Sequence, residues 1–248
     1  DNDISRANAT SSSAISTSPY GIYSYYTYGT NRSTVYRNNN IHDLPYSGAS
    51  SSSTTNYIAY WYGMYAYYNY GTTTYPFVVD NNTMKNIMVY YYCYNFYMYY
   101  NYVVNLTSNT IDNMRCYSSG YSCYPYRIYY GSDYNITGNT VMNCKFGEAG
   151  TGYAYIFYSY YVYNTYRSNN LFEDNVIKDN WSGYYFYGAQ IYYYASWKIN
   201  RNQIVRNNTA SNQGYLYCFY LYYLYNLEFT SNLMANNVGY YGNYNIYT

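Results

Sequence analysis

Apolar and polar residues alternate in short bursts along this chain, and one burst recurs eight times. It reads Asn, any residue, an apolar residue, any residue, then usually Asn, Asp or Arg, and it begins at Asn2, Asn39, Asn82, Asn109, Asn139, Asn175, Asn202 and Asn232. Three residues ahead of most of these anchors stands a further apolar or aromatic group: Tyr36, Val79, Leu106, Ile136, Phe172, Ile199 and Phe229. Apolar at −3, Asn at 0 and apolar at +2 describe a short strand, a bend and a second short strand, all aimed at one interior. The anchors lie 27 to 43 residues apart. A unit this short cannot bury its apolar face without a neighbour, so the pattern predicts one supersecondary unit stacked on itself. Stretches of 3.6-residue periodicity are lacking, and the Gly, Asn, Thr and aromatic content disfavours helix. The expectation is all-β, with about eight coils forming a single domain over residues 1–248 and no capping helix. Ser/Thr-rich runs near residues 8–19 and 47–56 are expected to be loops extruded from it.

This frame, continued through Tyr134-Asn135-Ile136-Thr137-Gly138-Asn139 and Tyr225 to Asn232, resembles the right-handed parallel β-helix superfamily of pectate-lyase-like proteins. The resemblance covers nearly the whole chain. It implies that each bend asparagine points inward and bonds to the turn backbone and to the asparagine one coil away. It implies little about activity, because the fold carries enzymes, adhesins and fibres alike.

Tyrosine changes the picture most. There are 53 in 248 residues, and they fill the segments between anchors, from Tyr20–Tyr28 through Tyr90–Tyr102 to Tyr240–Tyr247. In Tyr215-Leu216-Tyr217-Cys218, period-2 alternation directs Leu216 and Cys218 inward and Tyr215 and Tyr217 outward. Stacked coils then predict ladders of phenol rings on an outer aromatic surface, represented by Tyr90, Tyr92, Tyr94, Tyr215, Tyr217, Tyr222 and Tyr225. An aromatic surface of this extent suits subunit contacts, glycans or other surfaces. For cross-linking or charge hopping between stacked phenols, the sequence offers proximity alone.

Charge excludes more than it suggests. Only 9% of residues are charged and the net charge is +1, so the electrostatic footprint of a nucleic-acid binder is missing. No apolar run is long enough for a membrane helix. The acidic supply is thin, and its one dense cluster, Glu173-Asp174 with Asp179, flanks an anchor and reads as turn charge. His42, the single histidine, stands next to Asp43 without a nucleophile tied to it. No catalytic residue, metal site or cofactor is assigned. Five cysteines leave at least one unpaired. Cys93 and Cys123 are expected to stack in neighbouring coils, as a disulfide or as two thiols, with Cys116–Cys123 as a competing local bridge.

The start at Asp1, the low charge and the Asn, Ser, Thr and Tyr content suit an extracellular protein. Seven Asn-x-Ser/Thr sequons, at Asn8, Asn31, Asn81, Asn105, Asn135, Asn180 and Asn207, are about as many as the composition produces by accident. Tyr244-Asn245-Ile246-Tyr247-Thr248 reads like the approach to another anchor, which Asp1, Asn2 and Ile4 of a second copy would supply. The functional expectation is therefore head-to-tail self-association into a filament. A non-catalytic glycan- or surface-binding adhesin is the alternative, and a polysaccharide lyase or hydrolase the third reading.

Overall fold

A computed structural model describes residues 2–5, 20–44, 58–117, 119–210 and 214–248. The expected loops near 8–19 and 47–56 lie outside the described residues. Among the described residues there is no helix, and 23 strands form one continuous hydrogen-bonded sheet wound into a solenoid. Each strand pairs in parallel with its counterpart one turn on, as in Thr83↔Thr110 and Thr110↔Thr140. The parallel β-helix architecture is thus present, with about six turns instead of eight coils. Eight anchors mark eight corners but bound only seven intervals, parts of which lie outside the described residues.

The columns follow from the frame. The +2 residues stack as Ile4, Ile41, Met84, Ile111, Val141, Ile177, Ile204 and Met234. The −3 residues stack as Tyr36, Val79, Leu106, Ile136, Phe172, Ile199 and Phe229. Both columns face one interior, where most of their members are buried. Parallel strands sit about 4.8 Å apart, so a buried side chain always lies against its equivalents above and below.

What bends the chain at the seven anchors from Asn39 to Asn232 is a left-handed residue on either side. The position before the anchor has φ near +55° at Asn38, Asn81, Ser108, Asp174, Arg201 and Ser231, and Gly138 has φ 69°. The fourth position after it does the same at Asp43, Asn86, Asn113, Asn143, Asp179, Arg206 and Asn236. That explains the second polar member of the frame, since Asn and Asp tolerate this conformation better than most residues.

One expectation is corrected by register. Gly242–Tyr247 does not occupy the strand that leads to an anchor. It pairs with Tyr215–Tyr222, placing Tyr244 over Tyr217 and Ile246 over Phe219. The strand leading to the last anchor is Asn226–Thr230. A turn and a further strand therefore separate Tyr247 from the position where a next anchor would fall.

Candidate functional site

Two kinds of ladder run the length of the solenoid. The inner one is made of amides. All eight anchor asparagines stand in single file, each side-chain Nδ2 donating to the next Oδ1 at 2.8–3.1 Å, from Asn2→Asn39 to Asn202→Asn232. From Asn39 to Asn202 the anchor's backbone N–H donates to the same Oδ1. Its Nδ2 also reaches a −3 carbonyl, as Asn139 does to Leu106 and Asn175 to Ile136. Each interior amide thus has partners for both its donors and its acceptor. Burial demands that, because an unpaired amide in the core costs about 1–3 kcal/mol.

Sequence reasoning missed two shorter amide ladders. Asn180, Asn207 and Asn237 stack five residues after their anchors, at 3.0 and 3.1 Å. Asn69 donates to Asn101 at 2.7 Å in the turn after the tyrosine strands. The constant offset of five was visible in the sequence, but earlier turns hold Leu44, Ile87, Met114 and Cys144 there instead. Asn180 and Asn207 are also sequon residues. They are 1% and 0% exposed, which bars a glycan in the folded state.

The outer ladders are aromatic. A second frame, Tyr-x-apolar-Tyr-x-Tyr-Tyr, begins at Tyr20, Tyr62, Tyr94, Tyr124, Tyr155, Tyr187, Tyr217 and Tyr244, with substitutions at some positions. Its first tyrosines form one unbroken column of eight rings. Successive centroids are 4.8–5.3 Å apart with planes within 23° of each other. The sixth position gives a seven-ring column from Tyr25 to Tyr222, spaced 5.1–5.9 Å. The seventh gives another, from Tyr26 to Tyr223, spaced 4.8–5.8 Å.

All seven tyrosines of that last column have φ between 53° and 64°. A bulky residue in the left-handed region is strained. Here it turns the chain off the sheet while its ring stays in the stack, edge-on to its predecessor, as in Tyr160–Tyr161 at 4.5 Å.

The column at the fourth position is broken. Arg127 stands where Tyr97 and Tyr158 are tyrosine, and Gln190 stands between Tyr158 and Tyr220. The Arg127 guanidinium lies 5.0 Å from the ring centroids of Tyr97 and Tyr124 and 5.3 Å from those of Tyr94 and Tyr129. That is a four-sided cation–π cage. Its Nε is buried with no hydrogen-bond partner.

Of the residues expected on the aromatic surface, Tyr94 and Tyr217 lie in the eight-ring column and Tyr222 in a seven-ring column. Tyr92 stacks on Tyr60, and Tyr215 on Tyr185. Tyr90 sits aside against Tyr91 and Tyr117, and Tyr225 against Tyr194. The expected alternation holds for Leu216 and Cys218 inward with Tyr215 and Tyr217 outward, but Phe219 is buried directly after Cys218. Two successive inward residues shift the phase. Mutual stacking leaves most outer rings half-buried, and burial raises their pKa: Tyr97 and Tyr192 are pushed up to about 12, and Tyr94, Tyr155 and Tyr187 higher still.

Many of the charged side chains are engaged in local pairs. Arg201 holds Asp174 bidentately at 2.8 Å and reaches Glu173; Arg206 holds Asp179 at 2.7 Å. The acidic cluster therefore sits under arginines one turn on, with its carboxylates engaged. His42 bridges Asp43 at 2.9 Å and Asp3 at 2.7 Å, and these bonds, Asp43 first, raise its pKa. A groove of about 510 Å³ beside Trp181 is lined by Lys145, Glu148, Asp179, Arg206 and Asn208. Glu148 pairs with Arg115.

Cys93 lies in register with Cys123, as expected, but the disulfide joins Cys116 to Cys123. Cys93, Cys144 and Cys218 are buried thiols, and burial pushes Cys144 and Cys218 up to about 12. Among the described residues no group of three or more His, Cys, Asp or Glu is placed to hold a metal, and no helix is long and apolar enough to cross a membrane.

Comparison with known proteins adds no family: no protein-family model, curated protein or solved structure matches this chain. The likeness to pectate-lyase-like proteins therefore stands at the level of the parallel β-solenoid.

Proposed function

We propose that this chain is an extracellular structural protein: a stiff β-solenoid rod whose tyrosine face makes lateral contacts and whose end coils associate head-to-tail. The observation that carries the reading is the unbroken eight-ring column on the outside of the fold. An enzyme needs one local site, whereas this chemistry is repeated at every turn. The Cys116–Cys123 disulfide suits an oxidising compartment.

End-to-end contact is supported by what the outermost coils present. Leu227, Leu233, Ile246 and Tyr247 at one end, and Tyr20, Tyr23 and Val35 at the other, are 41–55% exposed. Inside the stack the equivalents of Leu227 and Ile246, which are Trp197 and Phe219, are buried. A second copy set over the last coil brings Asn2 above Asn232, Ile4 above Met234 and Tyr20 above Tyr244. The junction then continues the anchor and tyrosine columns, formed at one end by Tyr244, Asn245, Ile246, Tyr247 and Thr248. The sheet containing Asn226–Thr230 and Val35–Arg37 is left one strand short, so the contact rests on the other two faces. Electron microscopy and sedimentation of the purified chain test this. Filaments that disappear in Ile246→Lys are expected; monodisperse particles at high concentration contradict it.

A second reading, a glycan-binding module, is favoured by the groove beside Trp181, where a half-buried indole stands among polar groups. Binding of the monomer to a glycan array, lost in Trp181→Ala, would support it over the filament.

A further inference from the structure

Phenol is among the few side chains that give up one electron to an ordinary oxidant, and electron exchange between aromatic groups falls off steeply with the gap between them. The eight-ring column from Tyr20 to Tyr244 has no gap wider than 5.3 Å between centroids. Every turn contributes one ring because every strand pairs in register.

The column is also braced sideways. Tyr155 and Tyr158 are 5.9 Å apart and Tyr158 and Tyr160 are 6.2 Å apart. From Tyr160 the path continues to Tyr161 at 4.5 Å. Two seven-ring columns therefore run as parallel routes. In the pairs Tyr67–Tyr68, Tyr129–Tyr130 and Tyr160–Tyr161 the two rings meet edge-on at 4.5–4.6 Å, so each of these rings of the sixth-position column has a second phenol beside it.

Stiffening does not account for this continuity. The fold tolerates Arg127 and Gln190 in the fourth-position column without loss of register, yet the first-position column has no such break.

We propose that the tyrosine face carries oxidising equivalents along the solenoid axis by electron and proton exchange between neighbouring stacked phenols. An outer-sphere one-electron oxidant at one end takes an electron from the nearest phenol, whose proton passes to a hydroxyl oxygen or to water. The phenoxyl takes an electron from the next phenol and a proton is returned to it, leaving a phenol behind and a phenoxyl one turn on. A one-electron donor at the far end, with one proton from water, restores the last phenol. One electron has crossed the rod, and no atom of the protein is lost. Arg127 is the highest point on the route, because a positive charge 5.0–5.3 Å from Tyr94 and Tyr124 makes an electron harder to remove there.

The test uses the whole chain, with a ruthenium polypyridyl photo-oxidant attached through Thr248→Cys, the native free thiols being buried. A more easily oxidised 3-aminotyrosine replaces Tyr20 as the trap. The expected result is an aminotyrosyl radical at position 20 after the flash. Its yield should change little when the photo-oxidant is moved to Tyr163→Cys, nearer the trap. Changing Tyr155, Tyr158, Tyr160 and Tyr161 to Phe keeps the rings and removes one turn's phenols from the stacked columns, with Tyr153 and Tyr163 left at the ends of the strand; the distant signal should be lost while circular dichroism stays the same. Arg127→Gln should raise the yield. Absence of a radical at position 20 in the otherwise unchanged chain overturns the proposal. So does an undiminished signal in the folded four-Phe variant. Both readouts concern the monomer and do not depend on filament formation.

Discussion

The asparagine corner and the tyrosine face are built by the same register, yet they bear different loads. At the corner, the six amides from Asn39 to Asn202 are buried and bonded to fixed partners, and all eight anchors are asparagine. On the face, each ring touches its neighbours through weak, shape-tolerant stacking, and Arg127 or Gln190 can take a tyrosine's place. The corner specifies where the chain bends. The face exploits the alignment that the corner imposes, and its chemistry is more than folding requires.

Alkali should break the comparison at its largest scale. Unfolded phenols ionise near pH 10.0, whereas burial raises Tyr97 and Tyr192 to about 12 and Tyr94, Tyr155 and Tyr187 further. Groups with raised folded pKa values contribute their full stability below the unfolded value and lose it as pH climbs through the folded one. The solenoid should therefore weaken steeply from pH 10 towards 12, and the buried phenols should ionise in one cooperative step with loss of β-structure. Spectrophotometric titration followed alongside circular dichroism checks this; independent ionisation of these rings on an intact fold would contradict it.

Asn139→Ala is next in size. It strips Asn109 of its acceptor, frees Asn175 Oδ1 from one donor and removes one donor from the Leu106 carbonyl. With one or more buried groups unsatisfied, the expected cost is about 3 kcal/mol or more, read by chemical denaturation. Tyr155→Ala, on the face, removes two stacked contacts along the column, to Tyr124 and Tyr187, and lateral ring contacts to Tyr153 and Tyr158. The two column pairs should account for about 1–3 kcal/mol of its cost, at roughly 0.5–1.5 each. Tyr155→Phe keeps both contacts and should change stability by less than about 0.5 kcal/mol. If Asn139→Ala cost no more than Tyr155→Phe, the division between corner and face would fail.

The corner was legible in the sequence because its chemistry is specific. An inward amide flanked by left-handed residues leaves Asn with few substitutes, so eight asparagines in one frame located eight bends and both apolar columns. The face was legible as outward tyrosines stacked in ladders, but its repeating frame was not. Its frame, Tyr-x-apolar-Tyr-x-Tyr-Tyr, becomes visible when the chain is aligned on Tyr62, Tyr94 and Tyr124 instead of on the anchors. Register also separated look-alikes. Tyr134-Asn135-Ile136 leads to an anchor and Tyr244-Asn245-Ile246 lies in the tyrosine sheet, and nothing within either tripeptide distinguishes them. Of the two cysteine arrangements open in the sequence, Cys93 stacks beside Cys123 and the competing Cys116–Cys123 pair forms the disulfide.

The central claim is that one turn advances the chain by one strand spacing, whatever number of residues the turn contains. Spin labels in the column of His42, Lys85, Asp112, Met142, Lys178, Val205 and Ala235 test it directly, since these residues are in register turn by turn. Pulsed dipolar spectroscopy should give about 14 Å between backbone positions 85 and 178, three turns apart, and about 29 Å between 42 and 235, six turns apart, at about 4.8 Å per turn. Distances that followed residue number instead of turn number, or that scattered without order, would contradict the stacked register and with it both ladders.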